Sequence, residues 1–178
     1  MTRLLAIFLL AAASPASAQF APDSDAPVRG SADTAEYKPG LTILRGQVDV
    51  RQADTRILAD EMKIYSATER APGAGGAGAF EDVSKIEAIG NFFYLTPEQE
   101  VRGKQGVYLA ADNTFTVTGD VILLQGEDNV VTGERLIYDL GTNQARVVGT
   151  CEGRKCGSEG RVNILIKQNN TQPVTPAS

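Results

Sequence analysis

Two kinds of residue in this sequence have the types and spacing that could support chemistry, a cysteine pair and adjacent acids. They are Cys151 and Cys156, Asp60 and Glu61, and Glu81 and Asp82. The chain of 178 residues has no histidine, and histidine is the commonest general base and the commonest transition-metal ligand. Catalytic triads with histidine and histidine-based zinc sites are therefore excluded. Two cysteines are also too few for a four-cysteine zinc or iron–sulfur site.

The adjacent acids make an enzyme one hypothesis, because two carboxylates are sufficient for glycoside hydrolysis. Neighbouring residues of a strand face opposite sides of the sheet, however, so the members of each pair would point apart. Aromatic platforms for a sugar are also scarce, since the chain has no tryptophan and only 6% aromatic residues. We therefore expect no catalytic residue, no metal site and no cofactor.

The first 18 residues have the order of a secretory signal peptide. Arg3 precedes an apolar run at residues 4–13, and a small-x-small cleavage site follows at residues 16–18. The run is too short to span a bilayer; the alternative is a buried N-terminal helix. We expect an exported, soluble protein. The acidic net charge of the full chain, −5, argues against nucleic acid and against anionic membrane surfaces as partners.

Export predicts a disulfide between Cys151 and Cys156, because an oxidising compartment favours such a bond. Gly153 would let the short loop between them turn back. A loop of this size adds little stability through chain entropy, so we expect a local clip. The spacing differs from that of a redox CxxC motif, and metal binding is the weaker alternative.

The rest of the chain predicts a single all-β domain at residues 28–167, made of short alternating runs rich in β-branched and aromatic residues. Residues 19–27 are predicted to form a flexible leader, and residues 168–178 are predicted to form a disordered tail. A Gly/Ala-rich insertion at residues 71–79 predicts a loop inside the domain. No segment keeps a helical period long enough to compete.

The runs repeat. Glycines recur about every 30 residues, with a longer first interval that contains the insertion, and this period is typical of stacked β architectures. These glycines are Gly46, Gly90, Gly119 and Gly149. A second small residue follows each of the first three, and a tyrosine stands five or six positions later. These pairs are Ala59 and Tyr65, Gly103 and Tyr108, and Gly133 and Tyr138.

Counting by twos from the glycines places them on an apolar, inward face. In the first unit, the extra residue before Tyr65 predicts a β-bulge that returns Ile64 to this face. A recurrent glycine either lets the strand bend or lets a ligand approach its backbone. The inward rows would form an apolar trough open at both ends, or else a plain core. The predicted lining residues are Val48, Val50, Phe92, Tyr94, Val107, Phe115, Val117, Val121, Leu123, Val131 and Ile137.

The recurring order of small residue, acid, tyrosine and glycine-centred strand resembles the OstA-like (LptA) family of lipopolysaccharide-transport proteins. Examples are residues 58–65 with 44–48, and residues 132–139 with 147–149. The resemblance implies an antiparallel β-jellyroll folded like a taco. It implies a periplasmic carrier that holds the acyl chains of lipopolysaccharide inside the fold. The implied partners are an LptC-like inner-membrane protein, an LptD-like outer-membrane translocon and further copies joined end to end.

The main alternative from another functional class is an exported structural or adhesive β-solenoid. Its strands would carry the same repeat, and its interior would be filled by its own side chains. Sequence alone separates these two hypotheses poorly.

Overall fold

The structure is a computed structural model that describes residues 26–68, 80, 83–126, 129–142, 144–151 and 160–166. The predicted signal peptide, the insertion at 71–79 and the tail at 168–178 lie outside these residues. Of the predicted leader, only Ala26 and Pro27 are described. The described part of the chain contains no helix that could span a bilayer.

The described residues form one antiparallel sheet, which confirms the all-β prediction. Strands β3 to β8 follow one another as a meander, and four short strands pair with its two outer members. The strands are β1 (Arg29–Ser31), β2 (Thr34–Lys38), β3 (Leu41–Gln52), β4 (Thr55–Ser66), β5 (Val83–Leu95), β6 (Gln99–Leu109), β7 (Thr114–Gln125), β8 (Asn129–Asp139), β9 (Gln144–Val148) and β10 (Asn163–Leu165).

Each long strand bends near its middle, where the pairing with both neighbours shifts register. In β3, β5 and β7 the bend is a glycine followed by a second residue, both with positive φ. At Gly119 and Asp120, for example, φ is 83° and 50°. Two consecutive residues in this region turn the strand sharply, and glycine tolerates that conformation without steric cost.

The row of bends divides the sheet into two halves that face each other. Leaf A holds β2, β9, the first halves of β3, β5 and β7, and the second halves of β4, β6 and β8. Leaf B holds β1, β10 and the remaining halves. Phe92 of leaf B lies 5.3 Å from Phe115 of leaf A between ring centroids, and Tyr94 lies 5.5 Å from the same ring. The predicted folded, taco-like sheet is therefore observed.

The bend glycines support the bending interpretation of the repeat. A Cβ atom at Gly119 would lie 2.7 Å from Cδ of Lys104 on the neighbouring strand. At Gly46 and Gly90 it would meet the carboxylates of Asp33 and Asp60 in the same way. These glycines thus face polar side chains at each bend, Lys104 from β6, Asp60 from β4 and Asp33 from the β1–β2 connection, and they do not line the interior.

The even-numbered strands bend differently, and this changes which side chains point inward. At each bend, a single residue of the even-numbered strand lies opposite the two positive-φ residues of a neighbouring odd-numbered strand. These single residues are Asp60 in β4, Lys104 in β6 and Glu134 in β8. A single extra residue reverses the alternation of faces. Ile64 is fully buried, as the predicted bulge requires.

The same reversal in β6 and β8 makes the inward placement of Val107 and Ile137 wrong. Val107 pairs with Glu87 and Thr116 on the outer face of leaf A, and Ile137 pairs with Thr116. Their neighbours Tyr108 and Leu136 are buried in the core instead. The sequence predicts a bulge only in β4, although all three even-numbered strands contain one.

Candidate functional site: the surface between the leaves

The inner surfaces of the two leaves form the candidate site. Eight of the predicted lining residues are buried there, and Val131 packs against them from a partly buried position. The eight are Val48, Val50, Phe92, Tyr94, Phe115, Val117, Val121 and Leu123. Sequence reasoning missed Met62, Tyr108 and Leu136, which are also buried. The bulge predicted in β4 already implies an inward Met62, and a bulge in β6 and in β8 is the signal that would have found Tyr108 and Leu136.

Side chains from the two leaves fill the centre of this surface. The cavity between Tyr94, Phe115, Leu123 and Tyr138 is only about 10 Å³, enough for about one water molecule. The ring of Phe92 occupies the space above Gly106, where a Cβ atom would lie 2.6 Å from its Cε2. At this position opposing apolar side chains interdigitate and fill the space, which agrees with the plain-core alternative of the sequence analysis.

The inner surface is more open at the end formed by β9 and β10, called the C-terminal end below. Ile164 pairs with Val131, whose side chain is on the inner face. Ile164 and Ile166 are both 65% exposed. Apolar side chains continue the inner surface to this edge of the sheet and are uncovered there.

The opposite end is formed by β1 and β2 and is called the N-terminal end below. Val28 and Ala32 flank β1 and pack against the core, together with Phe80 from the β4–β5 connection. On β2, Tyr37 pairs with the inward Thr42 and is 41% exposed. Both ends of the inner surface therefore reach a sheet edge.

The short strands at both ends have free edges. Strands β1 and β2 pair only with β3, and β9 and β10 pair only with β8, among the described residues. All residues of β1, β2 and β10 are exposed. Unpaired backbone groups along such an edge can accept another strand.

The outer face of leaf A carries a ladder of ion pairs across β2, β3 and β4. Arg45 lies between Glu36 and Glu61, at 3.2 Å and 2.9 Å, and Lys63 lies 3.2 Å from Glu61. Hydrogen bonds from Lys63 and Arg45 lower the pKa of Glu61. Exposed pairs of this kind contribute little to stability. They keep this face polar and separate it from the apolar inner face.

Two groups in leaf B have strongly shifted pKa values. Hydrogen bonds from Arg51 and Arg56 lower the pKa of Asp49. Burial raises the pKa of Tyr94 to about 12, while a hydrogen bond involving Thr55 acts in the opposite direction. The phenol of Tyr94 is thus neutral at physiological pH. Its ring contributes apolar surface to the interior, and its hydroxyl is the one polar group.

The acids considered for catalysis are not brought together. Asp60 accepts a hydrogen bond of 2.8 Å from the amide of Asn91 at the bend, while Glu61 belongs to the ion-pair ladder. Glu81 and Asp82 lie outside the described residues. Within the described ranges, no group of three or more histidine, cysteine, aspartate or glutamate side chains is placed to hold a metal ion.

The predicted Cys151–Cys156 disulfide stays a prediction, because Cys156 lies outside the described residues. The structure does describe both ends of the segment that contains it. The backbone N–H of Cys151 donates to the carbonyl of Gly160 over 2.9 Å. The chain therefore leaves and rejoins the sheet at the same place, at the bend between β9 and β10.

Comparisons with known proteins agree with this architecture. Residues 28–144 match the family model described as LptA/(LptD N-terminal domain) LPS transport protein. LptH from Pseudomonas aeruginosa is described as the LptA homologous periplasmic component of the conserved lipopolysaccharide transport device. The sequence of LptH is 18% identical to this one. Its crystal structure matches this structure with a TM-score of 0.62, over 83% of this chain and 100% of that one.

At that identity, the likeness to LptH concerns the fold alone, which is that of an LptA-like β-jellyroll. The search of curated proteins found no match. The family model, in contrast, spans more than half of the chain. It covers β1 to β8, including every bend described above. The chain therefore belongs to the LptA/LptD N-terminal domain family of lipopolysaccharide-transport proteins.

Proposed function

We propose that this protein is a periplasmic carrier that holds acyl chains of lipopolysaccharide between its two leaves. The observation that supports this most is the continuous apolar inner surface, which reaches an exposed edge at Ile164 and Ile166. The family model and the periplasmic description of LptH support the compartment and the cargo. The predicted signal peptide would deliver the chain there.

Transfer free energies make acyl chains suitable ligands for this surface. Each methylene removed from water contributes roughly 0.8 kcal/mol, so a chain of about twelve carbons contributes on the order of 10 kcal/mol. The packed centre opposes entry, because the leaves must first give up the contacts of Phe92 and Phe115. The two opposing terms would keep binding reversible, as a carrier requires.

The free edges support end-to-end assembly as the second part of the proposal. A strand from another domain would pair with β1 and β2 at one end or with β9 and β10 at the other. The inner surfaces of the two domains would then become continuous. Because such contacts do not close on themselves, repeated copies would form rods. We propose as partners further copies, an LptC-like inner-membrane protein and an LptD-like translocon.

Neighbouring residues of β8 provide a matched test of lipid binding. Val131 lies on the inner face and Val130 on the outer face, and both are half-buried. Lipid bound to protein purified from cells would be identified by mass spectrometry for wild type, Val131→Asp and Val130→Asp. We expect bound lipopolysaccharide in wild type and Val130→Asp, and a several-fold loss in Val131→Asp. Equal lipid in both variants would contradict the proposal.

A structural module without lipid is the second candidate, and the packed centre of the interior favours it. This candidate predicts that wild-type protein purifies without lipopolysaccharide. It also predicts that Val131→Asp and Val130→Asp differ only in stability. The same purification therefore separates the two functions.

A further inference from the structure

Three arginines lie side by side on the outer face of leaf B, on three neighbouring strands, and are called the arginine row below. Arg29 of β1 pairs with Arg51 of β3, and Arg51 pairs with Arg56 of β4. Their side chains point away from the interior, because the adjacent residues Val50 and Ile57 are buried between the leaves. Directly opposed residues of an antiparallel pair have Cβ atoms about 5 Å apart. The arginine row therefore concentrates positive charge in a chain whose net charge is −5.

The carboxylate of Asp49 holds two of these guanidinium groups. It accepts hydrogen bonds from Nε and Nη2 of Arg51 at 3.1 Å and 2.8 Å, and from the same atoms of Arg56 at 3.0 Å and 2.7 Å. The side chain of Asp49 is 17% exposed, whereas those of Arg51 and Arg56 are 58% and 41% exposed. Each guanidinium group has further N–H donors that do not face Asp49. Asp49 thus fixes both groups and leaves these donors available to another acceptor.

The charge balance of the arginine row is the reverse of that in the ion-pair ladder of leaf A. There, Arg45 lies between the carboxylates of Glu36 and Glu61, whereas here one carboxylate lies between two arginines. Arg29 adds a further positive charge and forms no ion pair within the part of the chain that the structure describes. Like charges directly opposite one another destabilise a sheet. A bound anion would remove this repulsion.

The arginine row lies near the margin of leaf B, beside the turn between β3 and β4 at residues 53–54. Arg51 and Arg56 are each two residues from this turn, or about 7 Å by the rise of a strand. Val50 and Ile57, on the inner side of the same strands, belong to the apolar interior. A lipid whose acyl chains lie between the leaves can therefore extend its headgroup around this margin to the outer face.

We propose that Arg29, Arg51 and Arg56 form a binding site for a phosphate monoester, with Asp49 as a positioning residue. Guanidinium groups bind phosphate oxygens through two parallel hydrogen bonds, and this geometry makes them specific for such anions. The phosphate comes from one of two sources, a free phosphate in solution or the headgroup of a bound lipid. The second source rests on the proposed function, and the first does not.

Arg29→Gln and Arg146→Gln form a matched pair of variants, because each removes one charge from an exposed arginine of a short end strand. Arg146 of β9 pairs with Ile137 on the outer face of leaf A, away from the arginine row. Inorganic phosphate would be titrated into each protein at constant ionic strength, and the Nε–Hε signals of arginine would be followed by NMR. We expect Arg29→Gln to bind several-fold more weakly than wild type and Arg146→Gln to bind equally. Equal binding by all three proteins, or none by wild type, would overturn the site.

Two further variants separate a positioned site from attraction by charge alone. Arg51→Lys keeps the positive charge but loses the forked donors, and Asp49→Asn makes the row more positive but weakens the hold on its guanidinium groups. We expect both to bind inorganic phosphate several-fold more weakly than wild type. Unchanged affinity in Arg51→Lys would overturn the role of the forked donors. Tighter binding by Asp49→Asn would overturn the positioning role of Asp49.

Purified rough lipopolysaccharide, before and after chemical removal of its phosphate groups, distinguishes the two sources. For a headgroup phosphate, we expect Arg29→Gln to bind the phosphorylated form several-fold more weakly than Arg146→Gln does, and the dephosphorylated form equally. If Arg29→Gln binds inorganic phosphate weakly but both forms of the lipid normally, the headgroup source is wrong and the site takes free phosphate. A wild-type protein that binds inorganic phosphate but neither form of the lipid would overturn the proposed function and leave the phosphate site intact.

Discussion

At the scale of single residues, the recurrent glycines are explained by the bends. At Gly119, positive φ and the approach of Lys104 act together, so a side chain is unfavourable for two separate reasons. Gly106 has another role, because it leaves space for the ring of Phe92 from the opposite leaf. Glycine thus both folds the sheet and lets its two faces approach.

Replacing a bend glycine should cost more stability than replacing a glycine with the same backbone requirement in open space. Gly126 provides the comparison, since its φ is 60° and a Cβ atom there would have nothing within 4 Å. We expect Gly126→Ala to cost about 1 kcal/mol and Gly119→Ala about 2–3 kcal/mol. Urea unfolding of both variants measures the difference. Equal costs would mean that contact with Lys104 contributes nothing.

Tyr94 should make the protein sensitive to alkaline pH. Its pKa is raised from 10.0 to about 12 by burial, so folding favours the neutral phenol. This contribution is complete below pH 10 and is lost as the pH rises to about 12, a change of roughly 2–3 kcal/mol. We expect Tyr94→Phe to lose less stability over this interval than wild type, measured by urea unfolding at a series of pH values. If wild type and Tyr94→Phe lost the same stability between pH 10 and 12, the raised pKa of Tyr94 would be contradicted.

At the scale of elements, the two kinds of strand differ in how many residues the bend adds. In β3, β5 and β7 the bend contains two residues, which preserves the alternation of faces, and simple counting by twos places Phe92, Phe115 and Val121 correctly. In β4, β6 and β8 it adds one, which reverses the alternation. Tyrosine spacing reflects the same geometry, because Tyr108 follows Gly103 by five positions and is buried.

Core and surface substitutions in β6 and β8 should therefore follow the observed register. Leu136 is 1% exposed, so Leu136→Ala should destabilise by about 2–5 kcal/mol. Val107→Ala and Ile137→Ala, on the outer face, should each cost less than about 1.5 kcal/mol. Denaturant unfolding checks all three. A large loss of stability in Val107→Ala with a small loss in Leu136→Ala would contradict the observed register. It would support an alternation of faces that continues unchanged through the bend.

The exposed edge at β10 should control self-association. Charged side chains on an edge strand prevent pairing with another chain. Replacing Ile164 and Ile166 together with lysine should shift the protein towards monomer in sedimentation velocity at high concentration, while the melting temperature changes little because both are 65% exposed. Thr116→Lys, in the middle of leaf A, is the control. Unchanged association of the double variant would show that this edge is not used.

At the scale of the whole molecule, the repeat and the alternation predicted a stacked all-β domain with an apolar inward face, and the resemblance to the OstA-like family implied the antiparallel folded sheet. They were not sufficient to predict how far the interior is filled. That depends on side chains meeting across the bend, such as Tyr94 with Phe115, and these contacts have no signature in strand periodicity.

The most direct test of the account is photo-crosslinking to lipopolysaccharide from single positions in living cells. A photoreactive phenylalanine analogue at Phe115 lies between the leaves, and the same group at Val107 lies outside leaf A. We expect a lipopolysaccharide adduct from Phe115 and none from Val107. Adducts from both positions, or from neither, would contradict the claim that lipid passes between the leaves.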